Sequence, residues 1–126
     1  MLEFLGHIAL PAHAKPGGFD HAAVHGVRQR LYVAHTANDA LDVIDCATQT
    51  YVRSISGLTG VAGALVSEEQ DLVFTSNRGE NTVGIVSPGR DEVIAKVEVG
   101  VGPNGLAYFE RRSTATAHDH GGFAHE

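Results

Sequence analysis

Leu31-Tyr-Val-Ala-His-Thr-Ala-Asn-Asp-Ala-Leu-Asp-Val-Ile-Asp45 returns later in the chain as Leu72-Val-Phe-Thr-Ser-Asn-Arg-Gly-Glu-Asn-Thr-Val-Gly-Ile-Val-Ser87. Each copy reads apolar strand, polar turn, apolar strand. Leu41 and Val83 stand 42 residues apart, and so do Gly63 and Gly105. A repeat of this length built from short strands has the signature of a propeller blade.

Working outward, three segments look alike at the start of a unit: Phe19–Val24, Val61–Val66 and Pro103–Tyr108. Three others look alike at the end of one: Phe4–Leu10, Val52–Ser56 and Val93–Val99. In the last of these Val93, Ala95, Val97 and Val99 alternate with Ile94, Lys96 and Glu98. A period of two predicts an outer strand with one drier face. Leu31–Ala34 and Leu41–Ile44 are more uniformly apolar, which predicts strands covered on both faces.

The pattern predicts strands at 2–10, 21–25, 30–35, 40–45, 50–56, 62–67, 71–76, 82–87, 92–99 and 104–109. The expected fold is all-β, a β-propeller fragment of about two four-stranded blades with shared flanking strands. Residues 1–112 form the partial propeller. Blade 1 falls at about 19–57, blade 2 at about 61–100, and the first strand of blade 3 at about 103–110. The strand signal stops after Arg112, and residues 113–126, which carry three of the histidines, read as a disordered tail. Two blades leave two open sheet faces, to be covered by self-association or by the remaining blades of a full propeller.

Composition narrows function by exclusion. The net charge of −6 argues against a nucleic-acid partner, since phosphate neutralisation needs a basic face. Cys46 is the only cysteine, so no intrachain disulfide or CxxC motif exists. The stretch Met1–Leu10 lacks a basic opening and is interrupted by Gly6 and His7, so no signal peptide is read and a cytoplasmic location is expected. No run approaches the ~20 apolar residues of a membrane helix.

Tyr32-Val-Ala-His-Thr-Ala-Asn-Asp-Ala-Leu-Asp-Val-Ile-Asp45 resembles the repeat of the YVTN-type propeller family. Asn77, Gly79 and Glu80-Asn-Thr-Val83 resemble the same pattern with one inserted residue, and Pro103–Ala107 resembles the start of the next unit. The chain departs from the pattern at His35, where the family has Asn, and at Ala37, where it has Gly. The resemblance implies a ring of six to eight blades, and no single activity, because propellers of this kind mostly bind or scaffold.

Candidate site residues follow from blade geometry. Asp20, His21 and Asn104 fall at the start of inner strands, which line the channel of a propeller. They would bind a small polar ligand or cation there; alternatively, Asp20 and Asn104 cap turns through side-chain to backbone bonds. Asn77 and Arg78 lie in the most polar loop, where Arg78 could grip a carboxylate or phosphate, or simply pair with Glu80 on a hairpin. Pro103-Asn-Gly-Leu-Ala107 also resembles the element supplying a metal-ligating Asn in gluconolactonase-type propellers. That resemblance implies an alternative, a metal-dependent lactonase-like hydrolase in which a divalent cation on Asn104 activates water. His118, His120 and His125 lack the spacing of a structural zinc site. No Gly-x-Ser-x-Gly elbow or phosphate loop is present. The leading expectation is a non-catalytic segment without a cofactor, whose partners are further blades or copies of itself.

Overall fold

In the computed structural model the described residues are 2–103, with the backbone of strands 105–109, 114–119 and 122–124 beyond them. Two antiparallel sheets of four strands follow one another. Blade 1 is β1 (Ala22–His25), β2 (Arg30–His35), β3 (Ala40–Asp45) and β4 (Thr50–Ile55), in that spatial order. Blade 2 repeats the meander with β5 (Val61–Ser67), β6 (Leu72–Asn77), β7 (Thr82–Ser87) and β8 (Glu92–Glu98). Helix is confined, among the described residues, to one 3-10 turn, Thr36–Asn38, between β2 and β3. The all-β fold and the blade meander expected from the repeat are therefore present.

The repeat extends to backbone detail. Gln29 and Asp71 both have φ 54°, Asp39 and Asn81 have 51° and 55°, and Gln49 and Asp91 have 58° and 52°. Each pair is one repeat apart and closes the same hairpin of its blade. Left-handed φ is rare outside Gly, Asn and Asp, and it gives short hairpins the twist that matches the strands. The connector glycines Gly18, Gly60 and Gly102 share φ 67°, 66° and 64°. Asp39 accepts the Gly60 N–H at 2.9 Å, and Asn81 accepts the Gly102 N–H at 2.9 Å.

The core lies between the sheets. Tyr32, Ala34, Leu41, Val43 and Ile55 of blade 1 pack on Leu58, Val61, Val73 and Val86 from the connector and blade 2. Burying an aliphatic side chain of this size stabilises by roughly 1.5–3 kcal/mol, so this joint dominates the folding of the pair. Phe74 and Val83, on the opposite face of blade 2, form a second cluster with Leu65, Leu72, Ile85 and Val99. The third sheet begins beside that face, where β9 (Gly105–Phe109) lies along β5 and β6.

Three expectations need correction. Residues 2–10 carry no strand and are exposed up to Ala9; a strand needs a ladder partner, and none of the described strands pairs with them. The stretch read as a tail holds β10 (Thr114–Asp119) and β11 (Gly122–Ala124), which continue antiparallel from β9. The open edge of β9 offers unpaired backbone groups that such a segment can satisfy. Finally, β8 has no continuous dry face: Val93 alone in it is half-buried, against the core between the sheets, and Ile94 and Val97 are about half exposed.

Candidate functional site

The connector into β1 places Asp20 and His21 at the inner edge of the joint. The Asp20 N–H donates to Ala34 O at 2.9 Å, and the His21 N–H donates to Ala62 O at 3.0 Å. The His21 ring Nδ1 lies 2.9 Å from Asp20 Oδ1 and 3.2 Å from Ala62 O. His21 thus ties the inner strand of one blade to that of the next. Asn77 ends β6 fully buried, with its oxygen accepting from Thr75 at 3.1 Å and its amide donating to Thr82 at 3.0 Å. Arg78 is exposed in the following turn, its backbone N–H on Gly60 O at 3.1 Å. The two pairs, Asp20–His21 and Asn77–Arg78, spend these bonds on different parts of the joint. Asn104 lies outside the described residues, and so does the cation reading that depends on it. Among the described residues no three His, Cys, Asp or Glu side chains gather as a metal-binding group.

Two polar clusters escape the sequence pattern. In the first, residues 8–19 lie across the side of blade 1 turned away from blade 2. His35 and Asp42 are fully buried there, His35 Nδ1 donating to Asp42 Oδ2 at 2.8 Å. Ser54 donates to the other Asp42 oxygen at 2.6 Å and lies 2.8 Å from the Tyr51 hydroxyl. His35 Nε2 meets His13 Nδ1 at 2.7 Å, and Phe19 stacks on the His35 ring at 4.2 Å. Asn38 clamps the same segment, donating to Ala12 O and accepting from the Ala14 N–H. The Asp39 carboxyl is held low by the Gly60 N–H and then by Lys15, 2.7 Å away. An open apolar groove of about 460 Å³ runs beside His13 and Phe19, lined by Ile8, Leu10, Pro11 and Ala12.

The chemistry of this cluster is structural. Its serine donates to a carboxylate rather than to a histidine base, so Ser54 is not activated as a nucleophile. The Asp42 charge is buried but receives two donors, as buried charges require.

The second cluster clasps the other end of the joint. Asp71, in the β5–β6 turn, accepts from His25 Nε2 at 2.8 Å and from Arg28 Nε and Nη2 at 2.8 and 2.6 Å. The Arg28 bonds lead in pulling the Asp71 carboxyl down to about 2, and the Asp71 bond in turn raises the guanidinium. His25 Nδ1 accepts the Arg28 backbone N–H at 3.2 Å, so its ring proton sits on Nε2 and points at Asp71. Glu68 accepts the Val27 N–H at 3.0 Å. Asp91 Oδ2 lies 3.3 Å from Arg53 and 3.6 Å from Arg30. Blade 1 supplies every cation of this clasp and blade 2 every carboxylate. One sign of the first cluster stands in the sequence, His35, a histidine at a point where the second copy of the repeat has none. The clasp has none, since its partners are 43 and 46 residues apart and look like ordinary turn polars.

No family model matches the chain, and no curated protein matches it in sequence. Among solved structures, the hydrazine synthase of Kuenenia stuttgartiensis is similar, with a TM-score of 0.77 and 18% identity. The alignment covers 90% of this chain and 33% of that one, so the chain spans about a third of the length of the structure it matches. The likeness carries the fold: successive four-stranded antiparallel sheets arranged as in a β-propeller.

Proposed function

We propose that the chain is a non-catalytic propeller segment of the YVTN type, whose blades give a binding or scaffolding surface once further blades complete the array. The observation that carries this is the mismatch between two equivalent faces. On the side of blade 2 turned toward blade 1, Val61 is fully buried. One repeat earlier stands Phe19, 45% exposed, and Val24 on β1 is 59% exposed. Apolar residues held at blade-packing positions without a blade against them mark a seat for a neighbouring sheet. The two polar clusters support a structural role over catalysis, since their groups are consumed in holding the joint and the N-terminal segment. The neighbouring blades come from further copies of this chain or from a longer protein.

Light scattering coupled to size-exclusion chromatography tests the proposal. The purified chain is expected to self-associate or to aggregate as it unfolds at low temperature. A monomer that melts cooperatively at a temperature ordinary for a globular domain would refute it. A melt with calcium, zinc or EDTA separates the lactonase-like alternative, which requires a ligand-type upward shift with the metal.

A further inference from the structure

Among the described residues two buried side-chain atoms have no hydrogen-bond partner in the protein: the Tyr32 hydroxyl and Asp91 Oδ1. Tyr32 is fully buried, and the Asp91 side chain is 9% exposed. Both belong to the same joint. Tyr32 projects from β2 into the core between the blades, and Asp91 reaches back from the β7–β8 turn to Arg30 and Arg53. Arg30, which Asp91 approaches, stands two residues before Tyr32 on β2, and Val43 pairs with both Tyr32 and Arg53, so both arginines that Asp91 faces are near neighbours of Tyr32 on the sheet. Asp91 Oδ2 faces the two arginines, which leaves Oδ1 turned elsewhere.

A dry orphan at either atom would cost as much as a lost hydrogen bond, and two in one joint would be unusual for a folded protein. The donor and acceptor inventory matches one small neutral ligand. The tyrosine offers one O–H and accepting lone pairs, whereas Asp91 Oδ1 can only accept. A bound cation would suit the oxygens but not the adjacent Arg30 and Arg53; a bound anion would suit the arginines but not the carboxylate. Water can accept from Tyr32 and donate to Asp91, and internal waters recur where buried polar groups lack partners.

We infer that the blade joint holds one ordered internal water, bridging the Tyr32 hydroxyl and Asp91 Oδ1 and tying the hydrophobic core to the arginine–aspartate clasp. The water makes Tyr32 a positioning residue for Asp91, which explains a hydroxyl at the centre of an otherwise apolar cluster. The equivalent residue one repeat later is Phe74, which carries no hydroxyl.

The sign of one substitution tests this. Tyr32→Phe keeps the ring and removes only the oxygen. With a bridging water, it weakens folding about two- to twelvefold in the unfolding constant, and the loss shrinks when Asp91 is already Ala. With a dry pair, it strengthens folding or leaves it unchanged, which overturns the inference. A crystal structure of the intact chain completes the test. Oxygen density about 2.5–3.0 Å from both atoms supports the bridge. A direct Tyr32–Asp91 bond, no density, or an anomalous peak after growth in rubidium salt each refutes it.

Discussion

Replacing Asp71 by alanine separates the two contributions of the clasp. Asp71 and Arg28 are 44% and 38% exposed, so water re-solvates the guanidinium once its partner is gone. Half-exposed ion pairs of this kind contribute about 0–1 kcal/mol. The His25 side chain is only 2% exposed, and its Nε2–H has Asp71 as acceptor. Leaving that buried donor unpaired costs about 1–3 kcal/mol. Asp71→Ala should therefore destabilise by about 1–4 kcal/mol, and Arg28→Ala by no more than about 1 kcal/mol, because the residue 28 backbone N–H still holds His25 Nδ1. Asp71→Asn should fall close to Arg28→Ala, since its amide oxygen can still accept from His25. Urea unfolding followed by far-UV circular dichroism measures all three in a chain that lacks Trp. An Arg28→Ala loss equal to or above that of Asp71→Ala would refute the reasoning and assign the stability to the surface ion pair. So would identical losses for Asp71→Asn and Asp71→Ala.

Acid should act on the same group. The folded Asp71 carboxyl titrates at about 2, below its ordinary value near 4, so its contribution is complete above about pH 4 and is lost as pH falls toward 2. The urea midpoint of the parent should drop over that window by more than that of Asp71→Asn. Gly18→Ala and Gly60→Ala share a left-handed φ but not their surroundings. A Cβ at Gly18 meets nothing within 4 Å, while one at Gly60 runs into the Gly79 backbone. Chemical denaturation should show about 1–2 kcal/mol for the first and at least about 1–3 kcal/mol more for the second. Leu58→Ala empties the centre of the blade joint and should cost about 2–5 kcal/mol in the same assay. At Gly84 an added methyl would lie 2.5 Å from Thr75 Oγ1, so Gly84→Ala should lower the melting temperature even though it suits a strand's backbone.

The strands at 30–35, 40–45 and 82–87 stand where the repeat places them, because apolar period and turn residues there agree. Local pattern suffices when a strand's neighbours are also its sequence neighbours. It fails at Phe4–Leu10, which looks like the other unit ends but has no ladder to join. It fails again at Thr114–Asp119, where short polar residues pair because an edge is within reach. The candidate site was harder to read. Asn77 and His21 are indeed polar groups at blade ends, but their bonds are structural ones that a motif does not reveal. His25, Arg28 and Asp71 become one unit only through contact across a joint, and His13 meets His35 only because a non-strand segment folds back over the sheet.

The matched left-handed hairpins carry one more implication. Since the main chain bends alike at Gln29 and Asp71, and at Gln49 and Asp91, geometry gives a unit no means of telling which slot it fills. At those two bends identity resides in a few side chains: carboxylates on one unit, amides on the other. Exchanging those labels, with Arg28 and Arg30 moved to match, would re-address the units while their main chain stayed as it is. An engineer could then dictate the sequence of modules in a longer assembly by writing charge onto otherwise interchangeable bends.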